Sequence, residues 1–422
     1  MILYKGKIFG TEKTAELLEK LKDDTSKALL NKSIDAEKLI AAVDEISNRI
    51  TAGEYKSLIE ELDVDGLDEY VSDAAKMLKY ENLRLNIKAQ TPHLTELPDI
   101  KSYTAPAGVL FHIAAGNVDV LPAYSVLSGL ICGNVNILKL PSQDNGITVK
   151  ILSELIRIMP ELADFIYVFD TPSSDLPSML KMAEAADKIV VWGGDEAVAA
   201  VRRFAPPQIP IVEWGHKISF AYIGADYEKY PEELYALAEH MIKTSQLLCS
   251  SCQRIYINSG VPEDADGFCR YFLPFLQKAR DKYPLKDIGA AAEMTLLNHA
   301  QKIERSINGE PKNTERKYMG QGCSLTAKDE KTLEISGFFG NCAVTACPLD
   351  ELFAVLREKK GYLQTAAVIA DEETRAEFEN IAVRAGVTRI TKPADMSRSF
   401  IGEAHDGRFE LSNYIRIINK EV

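Results

Sequence analysis

Apolar residues recur every three or four positions through much of the first hundred residues, and from about residue 107 the period changes. Ala36, Ile40, Val43, Ile46 and Ile50 form one helical stripe, with Ser33 as its candidate N-cap. Leu67, Tyr70, Val71, Ala74, Ala75 and Leu78 form a second. Beyond 107, short runs rich in Val, Ile and Phe alternate with amphipathic stretches. The runs GVLFHIA (108–114), VNILKL (135–140), FIYVFD (165–170), KIVVW (188–192) and IPIVE (209–213) read as strands. Helices are predicted between them at Leu121–Ile131, 147–158, 175–186 and Glu196–Phe204. Near-continuous apolar strands separated by helices mean a parallel sheet covered on both faces, a doubly wound α/β domain.

A second alternating unit follows from about residue 224. Pro231 opens a helix through Leu234, Leu237, Ala238 and Met241, and RIYIN (254–258), CAVTACP (342–348) and TAAVIAD (365–371) supply strand signals around the helical LDELFAVLREK (349–359). The polar stretch 305–322 reads as a long surface loop. The pattern therefore predicts N-terminal helices and a doubly wound domain over 1–223, a second α/β domain over 224–395, and a C-terminal segment, 396–422.

Composition narrows the function. A length of 422 residues with 46% hydrophobic and 26% charged residues is that of a globular chain with more than one core. A net charge of -13 argues against nucleic acid as a partner. VLPAYSVLSGLICGNVNIL (120–138) is too polar for a membrane span, and the N-terminus lacks a secretory pattern. Seven cysteines without framework spacing suit a reduced, cytoplasmic protein. DVDGLDE (63–69) departs from a calcium loop, and no metal site is expected.

Candidate chemistry centres on SQLLCSSCQRIYI, 245–257. A redox pair of Cys249 and Cys252 would sit at a helix N-terminus, whereas here the helix precedes it. A zinc site lacks its second ligand pair. A lone catalytic thiol at a helix–loop–strand junction remains, against the plainer reading of a buried cysteine.

The segment resembles the catalytic segment of the aldehyde dehydrogenase superfamily, a Cys followed five residues later by Arg and a strand. APAGVLFHIAAGNVDVLPAYSVLSGLICGNVNILKLPS (105–142), VVWGGDEAV (190–198) and VEWGHKISF (212–220) follow that superfamily's motifs in order. GYLQT (361–365) and AHDGRFELSNYIRIINKE (404–421) are similar to LuxC-type acyl-CoA reductases, the fatty-acid reductase family. The resemblance implies an aldehyde dehydrogenase-like fold with Cys249 as nucleophile, Asn117 as oxyanion donor and Glu213 as the superfamily's general base. It implies dinucleotide contacts from Lys139, Ser142, Gly193, Gly194 and Phe339. Cys252 falls where the family requires no cysteine and reads as incidental.

In NAD-using members a Glu stands at the place of Ser142. Its replacement removes a charge that would repel a 2′-phosphate, so NADPH is the expected cofactor and NAD(H) the alternative. The implied activity is reduction of an acyl thioester, acyl-CoA or acyl-protein, to an aldehyde through a thioester on Cys249. The rivals are oxidation of an aldehyde to an acid or acyl-CoA, and a non-catalytic subunit that docks an acyl-protein synthetase. The last strand, YIRIIN (414–419), implies a homo-oligomer built by strand addition.

Overall fold

The computed structural model describes residues 1–56, 75–95, 97–114, 120–142, 144, 146–285, 289, 292, 296, 299–300, 303 and 315–421. The predicted helix over 67–78 lies largely outside these residues, and the acidic 63–69 stretch wholly so. The chain divides into two compact units, Met1–Gly215 with Phe400–Val422, and His216–Ser399.

In the first unit, β1 (Ile2–Tyr4) and β2 (Lys7–Phe9) form a hairpin. β3 (Ile100–Pro106) lies outside the main sheet, and the core strands follow: β4 (Val109–Ile113), β5 (Val135–Lys139), β6 (Ile166–Phe169), β7 (Lys188–Trp192) and β8 (Ile211–Trp214). Their order is β2-β1-β6-β5-β4-β7-β8, and β4 to β8 are parallel. The chain therefore runs outward from β4 to β6 and then restarts on its other side at β7. That reversal leaves a topological switch point between β4 and β7, where open α/β sheets bind ligands.

The predicted helices at 121–131 and 147–158 form over those residues. Helix Ala36–Thr51 is capped by Asp35, which accepts from the N–H groups of Glu37 and Lys38, rather than by Ser33. A carboxylate one residue before the helix reaches both orphan donors, and Ser33 is too far upstream to do so. Leu39, Ile40 and Val43 of this helix and Leu17, Leu18 and Leu21 of helix Thr14–Asn31 join the same core as β4 to β6.

The second unit begins with β9 (Ile218–Ile223), before the 223/224 boundary expected from sequence. β9 lies between β10 (Cys252–Ile257) and β14 (Leu363–Ile369), so its apolar run packs inside the second sheet. With β11 (Glu315–Met319), β12 (Ser324–Lys328), β13 (Asn341–Ala346) and β15 (Arg389–Thr391), the order is β11-β12-β13-β10-β9-β14-β15. β11 replaces part of the loop expected over 305–322. Its polar Glu-Arg-Lys-Tyr-Met run suits an edge strand, paired among the described residues only with β12. Residues 304–314 lie outside the described ones.

Phe400 returns the chain to the first unit, four residues after the expected boundary. There β16 (Ile415–Glu421) pairs antiparallel with β3 along seven residues, as a separate two-stranded ribbon. Among the described residues no helix is long and apolar enough to cross a membrane.

Candidate active site

The C-terminal edge of the first sheet gathers Lys139, Ser142, Gly193, Gly194 and Glu213. Lys139 closes β5 with only 4% of its surface exposed, and its Nζ donates to Ser173 Oγ at 2.8 Å. Burial lowers its pKa from the ordinary lysine value, while the charge of Asp170 opposes that shift. The hydrogen-bond partner is a hydroxyl, so an anionic ligand group would find a desolvated cation there. Ser142 is exposed two residues after Leu140.

Gly193 follows β7 and donates its N–H to Trp214 O at 3.1 Å. A Cβ on it would meet Ala197 Cβ at 2.9 Å, whereas a Cβ on Gly194 would meet nothing within 4 Å. Gly194 N-caps helix Asp195–Phe204. Open space at a helix N-terminus beside the switch point, together with a buried lysine at the end of β5, one strand beyond β4 on the same sheet edge, fits a dinucleotide phosphate. Asp195 and Glu196 in the first turn complement the helix dipole as well.

Glu213 on β8 is gripped by Arg202, Nε to Oε1 at 2.5 Å and Nη2 to Oε2 at 2.6 Å. Its backbone oxygen accepts from Arg408 Nη2 at 2.5 Å, and the Arg408 guanidinium lies 4.8 Å from the ring of Trp214. Trp192 and Trp214 stack at 5.3 Å with His405 against both rings. The C-terminal segment thus closes over the end of β7 and β8. Asn117 lies outside the described residues.

Cys249 belongs to the second unit. Helix Pro231–Lys243 ends at Thr244, and Ser245 and Gln246 then take left-handed φ of 48° and 59°. Such values in non-glycine residues carry strain, so the surroundings must impose them. Gln246, fully buried, does so with its side-chain amide. Nε2 donates to Cys252 O at 2.8 Å, and Oε1 accepts from Gly340 N at 3.0 Å. Gln253 Nε2 donates to Gln246 O at 2.7 Å, while its Oε1 accepts from Ser336 N and Oγ.

A second left-handed pair, Phe338 and Phe339 with φ of 53° and 49°, faces the first. Phe339 N donates to Ser245 O at 2.9 Å, and Arg280 Nη2 donates to Phe339 O at 2.8 Å. Of the predicted site residues, Cys249 and Phe339 are therefore carried by two loops stitched to each other. Gly340 makes the approach feasible, because a Cβ there would sit 2.6 Å from Ile242 Cδ1.

Cys249 is exposed, whereas the other six cysteines are buried or half-buried, and none forms a disulfide. Cys252 lies in the core, and burial, reinforced by neighbouring Cys342, drives its thiol pKa well above the ordinary range. Gln364 Nε2 donates to Cys249 Sγ at 3.5 Å, and Ser219 Oγ donates to Cys249 O at 2.7 Å. On the next residue, Ser250 Oγ shares a 2.8 Å hydrogen bond with Ser397 Oγ, itself 2.8 Å from His240 Nε2. Burial, then the charges of Arg389 and Lys243, hold that histidine's pKa at about 4, so it is neutral.

Gln246, Gln253, Gln364, Ser219 and Arg280 were not singled out from sequence. Two of the glutamines flank Cys249 in its own segment and a third sits in GYLQT, but no period or propensity marks a buried glutamine as a brace. Among the described residues no cluster of three or more His, Cys, Asp or Glu suits a metal ion.

The family profile for acyl-CoA reductase (LuxC) matches residues 30–417. The chain belongs to this family. Family relatives include a long-chain acyl-protein thioester reductase of Aliivibrio fischeri, 23% identical over 75% of this chain and 64% of its own length. A second, of Vibrio harveyi, is 27% identical over 75% of this chain and 65% of its own length. The chain thus spans slightly under two thirds of the curated relatives it matches. In fold it is similar to betaine aldehyde dehydrogenase of Staphylococcus aureus, with a TM-score of 0.72 at 14% identity, covering 98% of this chain and 89% of that one. Proline utilization A of Bradyrhizobium japonicum gives a TM-score of 0.72 at 14% identity, covering 99% and 45%. The family member described here therefore has the aldehyde dehydrogenase fold.

Proposed function

We propose that this chain reduces an acyl thioester, acyl-CoA or acyl-protein, to an aldehyde with NADPH, through a covalent thioester on Cys249. The observation that carries the reading is the state of that sulfur: exposed, on a strained and braced loop, with a side-chain amide on it, while the six other thiols are buried or half-buried. The names of the relatives support the thioester as substrate class.

The Cys249 thiolate attacks the acyl carbonyl carbon. The donor's C–S bond breaks, the donor leaves as a thiolate that takes up a proton, and the acyl group is now esterified to Cys249. Asn117, by resemblance, and a backbone N–H receive the oxyanion formed on the way. When bound, a nicotinamide dinucleotide would supply the hydride for the new C–H bond, the Cys249 S–C bond breaking to release the aldehyde and return the Cys249 thiolate. Lys139, Ser142, Gly193 and Gly194 would hold the dinucleotide's adenosine and phosphate portion; Phe339 of the second unit is, by resemblance, the family's nicotinamide-side phenylalanine. Lys139 and uncharged Ser142 favour the 2′-phosphorylated form. Reduction needs no activated water, so Glu213, held in the fork from Arg202, would not serve as a hydrolytic base but would assist proton transfer during thioester exchange.

The β3–β16 ribbon is proposed to join copies of the chain. A two-stranded sheet is marginal alone, and both of its outer edges can accept another strand.

Incubation with acyl-CoAs of graded length should add the acyl mass to the peptide containing Cys249, and NADPH should then be oxidised with the matching aldehyde released. Persistence of acyl-dependent NADPH oxidation in Cys249→Ala would end the covalent route. A free acid as product would return the oxidative reading.

A further inference from the structure

We propose that Gln364 is a catalytic residue of this site, donating its side-chain N–H to the Cys249 sulfur and so favouring the thiolate. The inference rests on Cys249 being the nucleophile and asks what activates it.

The preceding helix cannot. Cys249 follows the C-terminal end of Pro231–Lys243, where the helix dipole opposes negative charge. His240 is neutral, and its Nε2 is hydrogen-bonded to Ser397 Oγ. A thiolate there needs hydrogen-bond donors.

β14 is shaped to provide one. Leu363 pairs with Ile218 and Ala366 with Phe220, so Gln364 and Thr365 together oppose the single residue Ser219. Such a bulge re-aims a side chain that a regular ladder would send to the other face. Ser219 fixes the result from both sides. Its Oγ accepts from Thr365 N at 3.0 Å and donates to Cys249 O at 2.7 Å. The Gln364 carbonyl accepts from Thr388 N at 3.1 Å and from Thr388 Oγ1 at 3.3 Å. Gln364 is 7% exposed, so its amide works in a desolvated setting.

β10 repeats the device on the opposite side of β9. Cys252 pairs with Ser219 and Ile255 with Ala221, and the irregularity between them releases Gln253 to brace Gln246 and Ser336. Both neighbours of β9 are thus bulged at the level of Cys249, and each bulge delivers a glutamine. One holds the loop; the other meets the sulfur.

An amide has both a donor and an acceptor, and the sign of its effect tells them apart. An N–H on sulfur favours the thiolate, whereas a carbonyl on sulfur would favour the thiol. The test is the pH dependence of iodoacetamide alkylation at Cys249, followed by mass of its peptide in the full-length protein. In Gln364→Met, close in shape, the midpoint should rise by about one pH unit and alkylation at neutral pH should fall about tenfold. Gln364→Glu should raise it further by placing a carboxylate on the thiolate. An unchanged or lowered midpoint in folded Gln364→Met overturns the proposal, and so does an unchanged midpoint in Gln364→Glu. Thermal melting confirms the fold of each variant. Alkylation needs no acyl donor, so a wild-type protein that alkylates as expected but never forms an acyl-enzyme would sink the functional reading alone.

Discussion

The two units place their candidate site residues by different means. In the first, Lys139, Gly193 and Glu213 sit on or beside the ends of regular parallel strands, and backbone dihedrals there are ordinary. In the second, Cys249 and Phe339 hang on loops with four consecutive-pair left-handed residues, Ser245, Gln246, Phe338 and Phe339. The first arrangement follows from the sheet itself; the second exists only while buried glutamines enforce it. The candidate ligand-binding groups of the first unit, Gly193 apart, should therefore be replaceable without loss of fold, and supports of the second should not.

The sharpest way to break this contrast is Gln246→Ala. It strips the partners from Gly340 N and Cys252 O, both in the interior, and each buried group left unsatisfied costs about 1–3 kcal/mol. We expect a loss of about 4 kcal/mol in urea unfolding, together with loss of acylation at Cys249. A variant of parental stability would mean that the left-handed pair is held by something else.

Glu410 probes whether the first unit is as forgiving away from its strand ends. It lies in the returning C-terminal segment, 2% exposed, accepting from Tyr414 at 3.1 Å and bonded also to Tyr124 and Ser128. Burial raises its pKa from 4.5 to about 7, and its charge joins burial in pushing the Cys132 thiol up to about 12. The unfolded chain releases this proton near 4.5 and the folded chain only near 7. Stability from this group is therefore intact at acid pH and falls as the pH rises across that window. Glu410→Gln should match the parent near pH 4.5 and exceed it by on the order of 2 kcal/mol at pH 8. Parallel melting curves of the two proteins from pH 5 to 8 would refute it.

What could be read from sequence divides along the same line. Strand ends are legible because period fixes the strands, and period plus order fixes the sheet. The helices at Leu121–Ile131 and Ile147–Ile158 and strand Lys188–Trp192 appear over the residues their patterns predict. Lys139 and Gly193 could thus be placed at a sheet edge before any coordinates. Cys249 could be named only through resemblance, since local pattern favoured a buried thiol. Its braces were not legible at all. A glutamine in a bulge and one on a surface loop share the same propensities, and pairing across strands distant in sequence decides between them. Asp35 displaced Ser33 as a cap for a smaller reason, a two-residue difference in where the helix begins.

Lys139→Met sharpens the first half of the contrast. The ammonium carries a desolvation cost that, among the described residues, no carboxylate offsets by hydrogen bonding, and methionine fills a similar volume, so stability should hold or rise slightly. NADPH binding, measured by calorimetry or fluorescence, should weaken about tenfold through loss of a charge-assisted contact. NADH should lose less if the contact is to the 2′-phosphate. Equal losses for both would move Lys139 to a part of the cofactor they share.

The smallest expected effect on stability is also the most discriminating for the groove. Gly194 has φ of −71° and ψ of 177°, values any residue adopts, and its absent Cβ faces open space. Nothing in the fold requires glycine there. If a dinucleotide phosphate approaches that backbone, the requirement comes from the ligand. Gly194→Ala should therefore change unfolding free energy by no more than about 0.5 kcal/mol while weakening NADPH binding several-fold. Gly193→Ala should do the reverse first, since its Cβ collides with Ala197 and the strand end must shift to admit it. Unaltered NADPH affinity in Gly194→Ala would place the phosphates elsewhere along the sheet edge and leave Lys139 as the surviving anchor of the cofactor reading.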